Sequence, residues 1–121
     1  MSSQELPDRD YQARVRRFYA EELQQLLPYA AKLGVTILAG SDTVPPAEFW
    51  REIANLHRYG LDPDAALASA TTAARSYLGL PDLKDGSPAD VVLYDADPRN
   101  DPDILNRPSL VIVGGEILSK R

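Results

Sequence analysis

Asp42 is the residue of this chain best placed to do chemistry. It ends the run Gly34-Val35-Thr36-Ile37-Leu38-Ala39-Gly40-Ser41-Asp42-Thr43, in which an apolar stretch stops abruptly at a carboxylate set between two small hydroxyl residues. A carboxylate so placed suggests chemistry. Val35 to Ala39 is short, rich in β-branched residues and bounded by glycines, a pattern that predicts a strand buried on both faces, as in a parallel sheet covered by helices. Such sheets gather their reactive groups at the carboxyl ends of strands, where this reading puts Asp42. The local alternative is an Asp that caps a turn or the next helix. Ser41 and Thr43 can hydrogen-bond the carboxylate or a substrate, although small polar residues also simply end strands.

The other candidates have more ordinary readings. His57 is the single histidine; it falls on a helix beside Leu56 and four positions from Ile53, where packing or surface exposure explains it better than metal ligation. Lys32 ends a helix, where a cation suits the dipole. Asp95, Asp97, Asp101 and Asp103 have a calcium-loop-like spacing, but Pro98 and Pro102 interrupt them and no glutamate closes a twelve-residue loop. Arg14, Arg16, Arg17, Glu21 and Glu22 fit the solvated face of an amphipathic helix. Phe49 and Trp50 beside Ile53 and Leu56 read as core rather than pocket lining.

The elements that must position Asp42 follow from periodicity. From about Asp10 to Leu33, Val15, Phe18, Tyr19, Leu23, Leu26, Leu27 and Ala30 form a helical apolar stripe. Pro28 predicts a kink there, or a second helix beginning near it, and Gly34 is the stop. After Asp42, Pro45-Pro46 fixes a turn and Pro46 suits the first position of a helix running to about Tyr59, with Gly60 as its stop. Asp62 can cap the next helix, Pro63 start it and Gly79 end it. From Leu80 onward, Pro, Gly and Asp punctuate short β-prone runs: Val91 to Tyr94, Leu110 to Val113, and a Gly114-Gly115 hairpin into Glu116 to Ser119.

Composition sets the outer limits. The 121 residues make one domain's worth of chain. A net charge of −5 without a basic cluster argues against nucleic acid or an anionic membrane as partner. The absence of cysteine excludes disulfides, a thiolate nucleophile and a thiolate zinc site. The polar, acidic start lacks a secretory signal, and no apolar run approaches membrane-spanning length, so a cytoplasmic location is expected.

The order of these motifs resembles the C-terminal portion of the metal-dependent amidohydrolase superfamily, most nearly its imidazolonepropionase-like and prolidase-like branches. Gly34 to Asp42 is similar to the family's eighth barrel strand with its terminal aspartate, and Leu67-Ala68-Ser69-Ala70-Thr71-Thr72-Ala73-Ala74-Arg75 with Leu78-Gly79-Leu80 to the helix that follows. Gly86-Ser87-Pro88-Ala89-Asp90-Val91-Val92-Leu93-Tyr94-Asp95-Ala96-Asp97-Pro98 resembles the return into the family's small β-domain, and Val113-Gly114-Gly115-Glu116 its closing hairpin. The fold so implied is α/β: the last strand and helices of a (β/α)₈ barrel over residues 1–80, and the closing segment of a small antiparallel β-domain over 81–121.

The resemblance implies that Asp42 is both a metal ligand and the catalytic proton carrier. The parent activity would be hydrolysis of a small-molecule amide, at a non-peptide or dipeptide-like C–N bond that can be cyclic, with a divalent metal, usually zinc. The family's other ligands, a His-x-His pair, a carboxylated lysine or acidic group and two further histidines, have no counterparts here. Neither His57 nor Lys32 matches one of them. The isolated chain is therefore expected to be metal-free and inactive, and to need a complementing chain or a homo-oligomer. The alternative is a non-catalytic interaction module that pairs with a chain carrying the missing strands; a truncated gene product without function is a third reading.

Overall fold

A computed structural model describes residues 9–42 and 48–121. Helices α1 (Arg9–Arg17) and α2 (Leu23–Lys32) are joined without a break by one π-helical turn over Phe18–Glu22. Helix α3 covers Phe49–Arg58, α4 Pro63–Ser69 and α5 Thr72–Tyr77. Strands β1 (Val91–Leu93), β2 (Leu110–Val113) and β3 (Glu116–Lys120) form an antiparallel sheet in that order, with a short 3₁₀ helix, Pro102–Asn106, between the first two. The architecture is thus a helical portion followed by a small antiparallel sheet.

Three expectations need correction. Pro28 does not split its helix, which runs through it to Lys32. The proline forfeits one bond, to the Gln24 carbonyl four residues earlier, while Leu27 beside it packs against the core and holds the turn in place. The single helix expected from Asp62 to Gly79 is two, because the chain leaves helical geometry at Thr71 (φ −128°, ψ −99°). There the Thr71 hydroxyl donates to the Leu67 carbonyl at 2.8 Å, the local competition that makes threonine a weak helix former. Finally, Val35 to Ala39 is extended but belongs to no sheet. A strand exists only by pairing, and among the described residues no segment forms a ladder with it. The turn expected at Pro45-Pro46 lies outside the described residues.

The core gathers Ile53 and Leu56 from α3, Leu61, Ala66 from α4, and Leu105 from the 3₁₀ helix, with Ile37 and Ala39 of the extended run packed against it. Gly60 holds the centre of this arrangement together. It ends α3 in a Schellman motif, in which its N–H donates to the His57 carbonyl and the Leu61 N–H to the Leu56 carbonyl, both at 3.0 Å. Its φ is +93°, and a Cβ there would lie 3.1 Å from both the Gln24 carbonyl oxygen and the Pro28 Cγ. Close approach of α2 to the end of α3 therefore requires glycine. Gly60→Ala is expected to cost about 2 kcal/mol from strained backbone and crowding together, measurable as a lowered urea midpoint with an unchanged m-value.

The first half of the chain is thinly covered. Neither α1 nor α2 contains a buried residue, and much of the expected apolar stripe stays open: Phe18, Tyr19 and Leu26 are all at least two-fifths exposed.

Candidate functional site

Asp42 is held at the end of a short, anchored rod. Helix α2 closes in a Schellman motif around Gly34, with the Val35 N–H donating to the Ala30 carbonyl at 3.0 Å. The chain then extends to Ala39, whose N–H donates to the Ser69 carbonyl at 3.1 Å. Ser69 is fixed in turn, being 1 % exposed with its hydroxyl donating to the Ala66 carbonyl at 2.6 Å. Two backbone bonds and the inward packing of Ile37 and Ala39 thus define where Gly40, Ser41 and Asp42 emerge.

Asp42 itself has φ +47°, the one non-glycine residue with a left-handed backbone among those described. An L-residue there stores strain, and strained residues concentrate where geometry serves function. The side chain is exposed, and its carboxylate makes no hydrogen bond or ion pair among the described residues. Ser41 next to it is half-buried, while Thr43 lies outside the described residues.

The other candidates are not gathered around it. His57 Nδ1 lies 3.2 Å from the Leu61 carbonyl, to which it donates. That ring helps line a small cavity with Pro63, Pro98 and Pro102, a position that fits packing at the end of α3. Lys32 closes α2. Among the described residues, no three or more His, Cys, Asp or Glu side chains are grouped so as to hold a metal. One carboxylate does not fit a catalytic zinc, which takes about three protein ligands.

The acidic residues of the β-unit hold structure together instead. Asp90 accepts from the Gly114 N–H at 2.8 Å and from Arg75 at 3.3 Å, so it ties α5 to the β2–β3 turn, and these donors keep its carboxyl below the ordinary range. Its place just before β1 is the only sequence signal for this role. Arg99 pairs with Asp97 at 2.6 Å and with Asp64 at 3.0 Å, linking the β-unit to the first turn of α4. Asp101 caps the 3₁₀ helix by accepting from the Asp103 N–H. Arg121 reaches Asp95 at 3.5 Å. A trough between α3 and the sheet, lined by Trp50, Leu67, Tyr94 and Ile112, meets Arg75 and Asp90 only where they already pair with each other.

The Asp97 pairing fixes an acid limit. The side-chain bonds from Arg99, with the Arg99 backbone N–H, pull the Asp97 carboxyl down to about 2. A carboxyl depressed by folding stabilises above its unfolded value, about 3.9, and that contribution is lost as pH falls through the folded value. Asp97→Asn is therefore expected to flatten the fall in stability between about pH 4 and pH 2, as followed by denaturant titrations across that range.

No family model matches the chain. Uncharacterised proteins of Mycobacterium tuberculosis and Mycobacterium bovis are 38% identical to it over 108 residues, which is 87% of this chain and 29% of theirs. The chain thus spans under a third of the length of the curated relatives it matches. A Bifidobacterium longum crystal structure, provisionally named a prolidase, superposes with a TM-score of 0.69 at 33% identity, over 78% of this chain and 25% of its own. A structure described as an amidohydrolase gives a TM-score of 0.71 over 81% of this chain and 26% of its own; at 24% identity it speaks to the fold alone.

Proposed function

We infer that this chain, an amidohydrolase-like C-terminal segment, contributes Asp42 to a metal-dependent hydrolase that cleaves C–N bonds in small amides. The observation that carries the reading is Asp42 itself: an exposed, unpartnered carboxylate on a left-handed residue, at the end of an extended run pinned to the core by Ala39 and Ser69. In the complete assembly, Asp42 would be one ligand of a divalent metal, zinc by preference, with the remaining ligands supplied from outside this chain. A divalent metal whose other ligands came from outside this chain would lower the pKa of a bound water to about 7 and polarise the scissile carbonyl. The part of Asp42 is to accept the water's proton and return it to the departing nitrogen, as a carboxylate within hydrogen-bond reach of both can do. The last strand and helices of a (β/α)₈ barrel are the framework in which this residue would meet its partners.

The test is hydrolysis of a dipeptide and of a cyclic amide by this chain, alone and co-expressed with the part of the mycobacterial relative that lies outside the matched 108 residues. Activity confined to the co-expressed pair, and lost on Asp42→Ala, supports the reading; a pair that assembles but hydrolyses neither substrate removes it. One observation favours a second reading, a non-catalytic module that pairs with other strands: among the described residues no three or more His, Cys, Asp or Glu side chains are grouped so as to hold a metal. A complex whose properties are indifferent to Asp42→Ala would select that reading.

A further inference from the structure

One side of the long helix made by α1, the π-helical turn and α2 is uncovered among the described residues. The opposite side is committed to the body: Leu27 packs on the core, the Tyr19 ring lies 6.0 Å from that of Tyr59, and Gln24 and Pro28 abut Gly60. On the uncovered side, Phe18, Glu22, Leu26 and Tyr29 line one shallow hollow. Arg14 lies four residues before Phe18, and Tyr11 three before Arg14, spacings that continue the same face. The apolar members, Tyr11, Phe18, Leu26 and Tyr29, are 40 % to 59 % exposed. Single exposed apolar side chains are ordinary, but a contiguous row of them rimmed by charge marks an interaction surface.

The charges on this face select its partner. Arg17 and Glu21 pair with each other along the helix at 3.0 Å, whereas Arg14 and Glu22 have no ion pair among the described residues. These two stand one turn either side of Phe18 and carry opposite signs, so the face is complementary to itself when turned end for end. We propose that two copies of this chain associate through it as an antiparallel helix pair, with Phe18 on Phe18 at the two-fold axis, Arg14 beside the partner's Glu22, and Tyr11 against the partner's Leu26. A parallel pair would set arginine on arginine and glutamate on glutamate, which like-charge repulsion opposes. The contact is small, on the order of 1,000 Å² in total, so a micromolar dimer is expected, in which the ion pairs fix register more than affinity. The sheet offers a second copy less. Strand β1 has three residues set between Asp90 and Asp95, and β3 bulges opposite Val111 and Ile112 and ends in Lys120 and Arg121, features by which sheet edges resist added strands. Neither Asp42 nor a metal enters this interface, so it stands or falls independently of the hydrolytic reading.

The test is the mass of the purified chain in solution, by sedimentation equilibrium across the micromolar range at low and high salt. A concentration-dependent dimer that salt weakens is the expected result. Arg14→Glu and Glu22→Arg should each weaken it by at least about tenfold, and the two changes together should restore it, because they exchange the charges within each pair. Phe18→Asp should leave a folded monomer with the circular dichroism of the wild type, since Phe18 is not part of the core. A chain that stays monomeric across the range overturns the proposal. So does a dimer that tolerates Phe18→Asp, the result that pairing through the edges of β1 or β3 would give, and so does a double charge variant that dimerises no better than either single one.

Discussion

Leu61→Ala should destabilise the chain by about 2–5 kcal/mol, the cost of emptying a well-packed leucine site. Leu61 is 3 % exposed and sits between the end of α3 and the cap of α4, where it packs in one cluster with Ile53, Leu56, Ala66 and Leu105. Its N–H also completes the Schellman motif at Gly60, so the side chain is pinned where relaxation into the cavity is difficult. Leu105 belongs to the 3₁₀ helix of the β-unit, so the vacancy loosens the seam between the helices and the sheet as well as the helices themselves. Because few of the described residues are buried, the loss consumes much of a stability that for ordinary domains totals about 5–15 kcal/mol. Urea denaturation followed by tryptophan fluorescence reports it directly, since Trp50 packs against this cluster. A loss below about 1 kcal/mol would mean that the cluster is not the stabilising centre.

Substitution of Asp42 should separate stability from function. Its left-handed backbone costs an L-residue about 1–2 kcal/mol, less for Asp than for most. Asp42→Gly relieves that strain and should raise stability by about 0.5–1 kcal/mol, net of the added freedom of the unfolded chain. In the complete assembly the same change should lower hydrolysis by about 10²–10⁴-fold, the usual worth of a positioned proton carrier. Asp42→Asn tolerates the left-handed conformation as Asp does but cannot accept the proton, so it should share the activity loss without the gain in stability. A stabilised Asp42→Gly variant with full activity would show the strain to be incidental.

Features settled by local chemistry were legible in the sequence. Asp62 caps α4 through the Asp64 and Ala65 N–H groups with Pro63 in the first turn, as an Asp-Pro pair before an alanine-rich run suggests. Gly34, Gly60 and Gly79 each have positive φ just past a helix, and Gly114-Gly115 makes the expected hairpin, with φ of 58° and 86°. What escaped was whatever depends on distant groups. The apolar run from Val35 is strand-like in composition, but a strand forms only with a pairing partner, so composition alone could not say whether a sheet forms. The break at Thr71 turned on one hydroxyl competing for one carbonyl. Asp90 reads as the end of a polar turn until the fold brings Gly114 and Arg75 to it. The position of Asp42 was legible, but its backbone strain was not, because φ is set by where the flanking chain must go.

The most direct test of the central claim is the zinc content of the purified one-to-one assembly, wild type against Asp42→Ala, measured by atomic emission beside the chain alone. The expected result is a metal-free chain, zinc in the wild-type assembly, and a marked loss of that zinc in the variant. Equal zinc in both assemblies, or none in either, would contradict the assignment of Asp42 to a metal-dependent hydrolytic site.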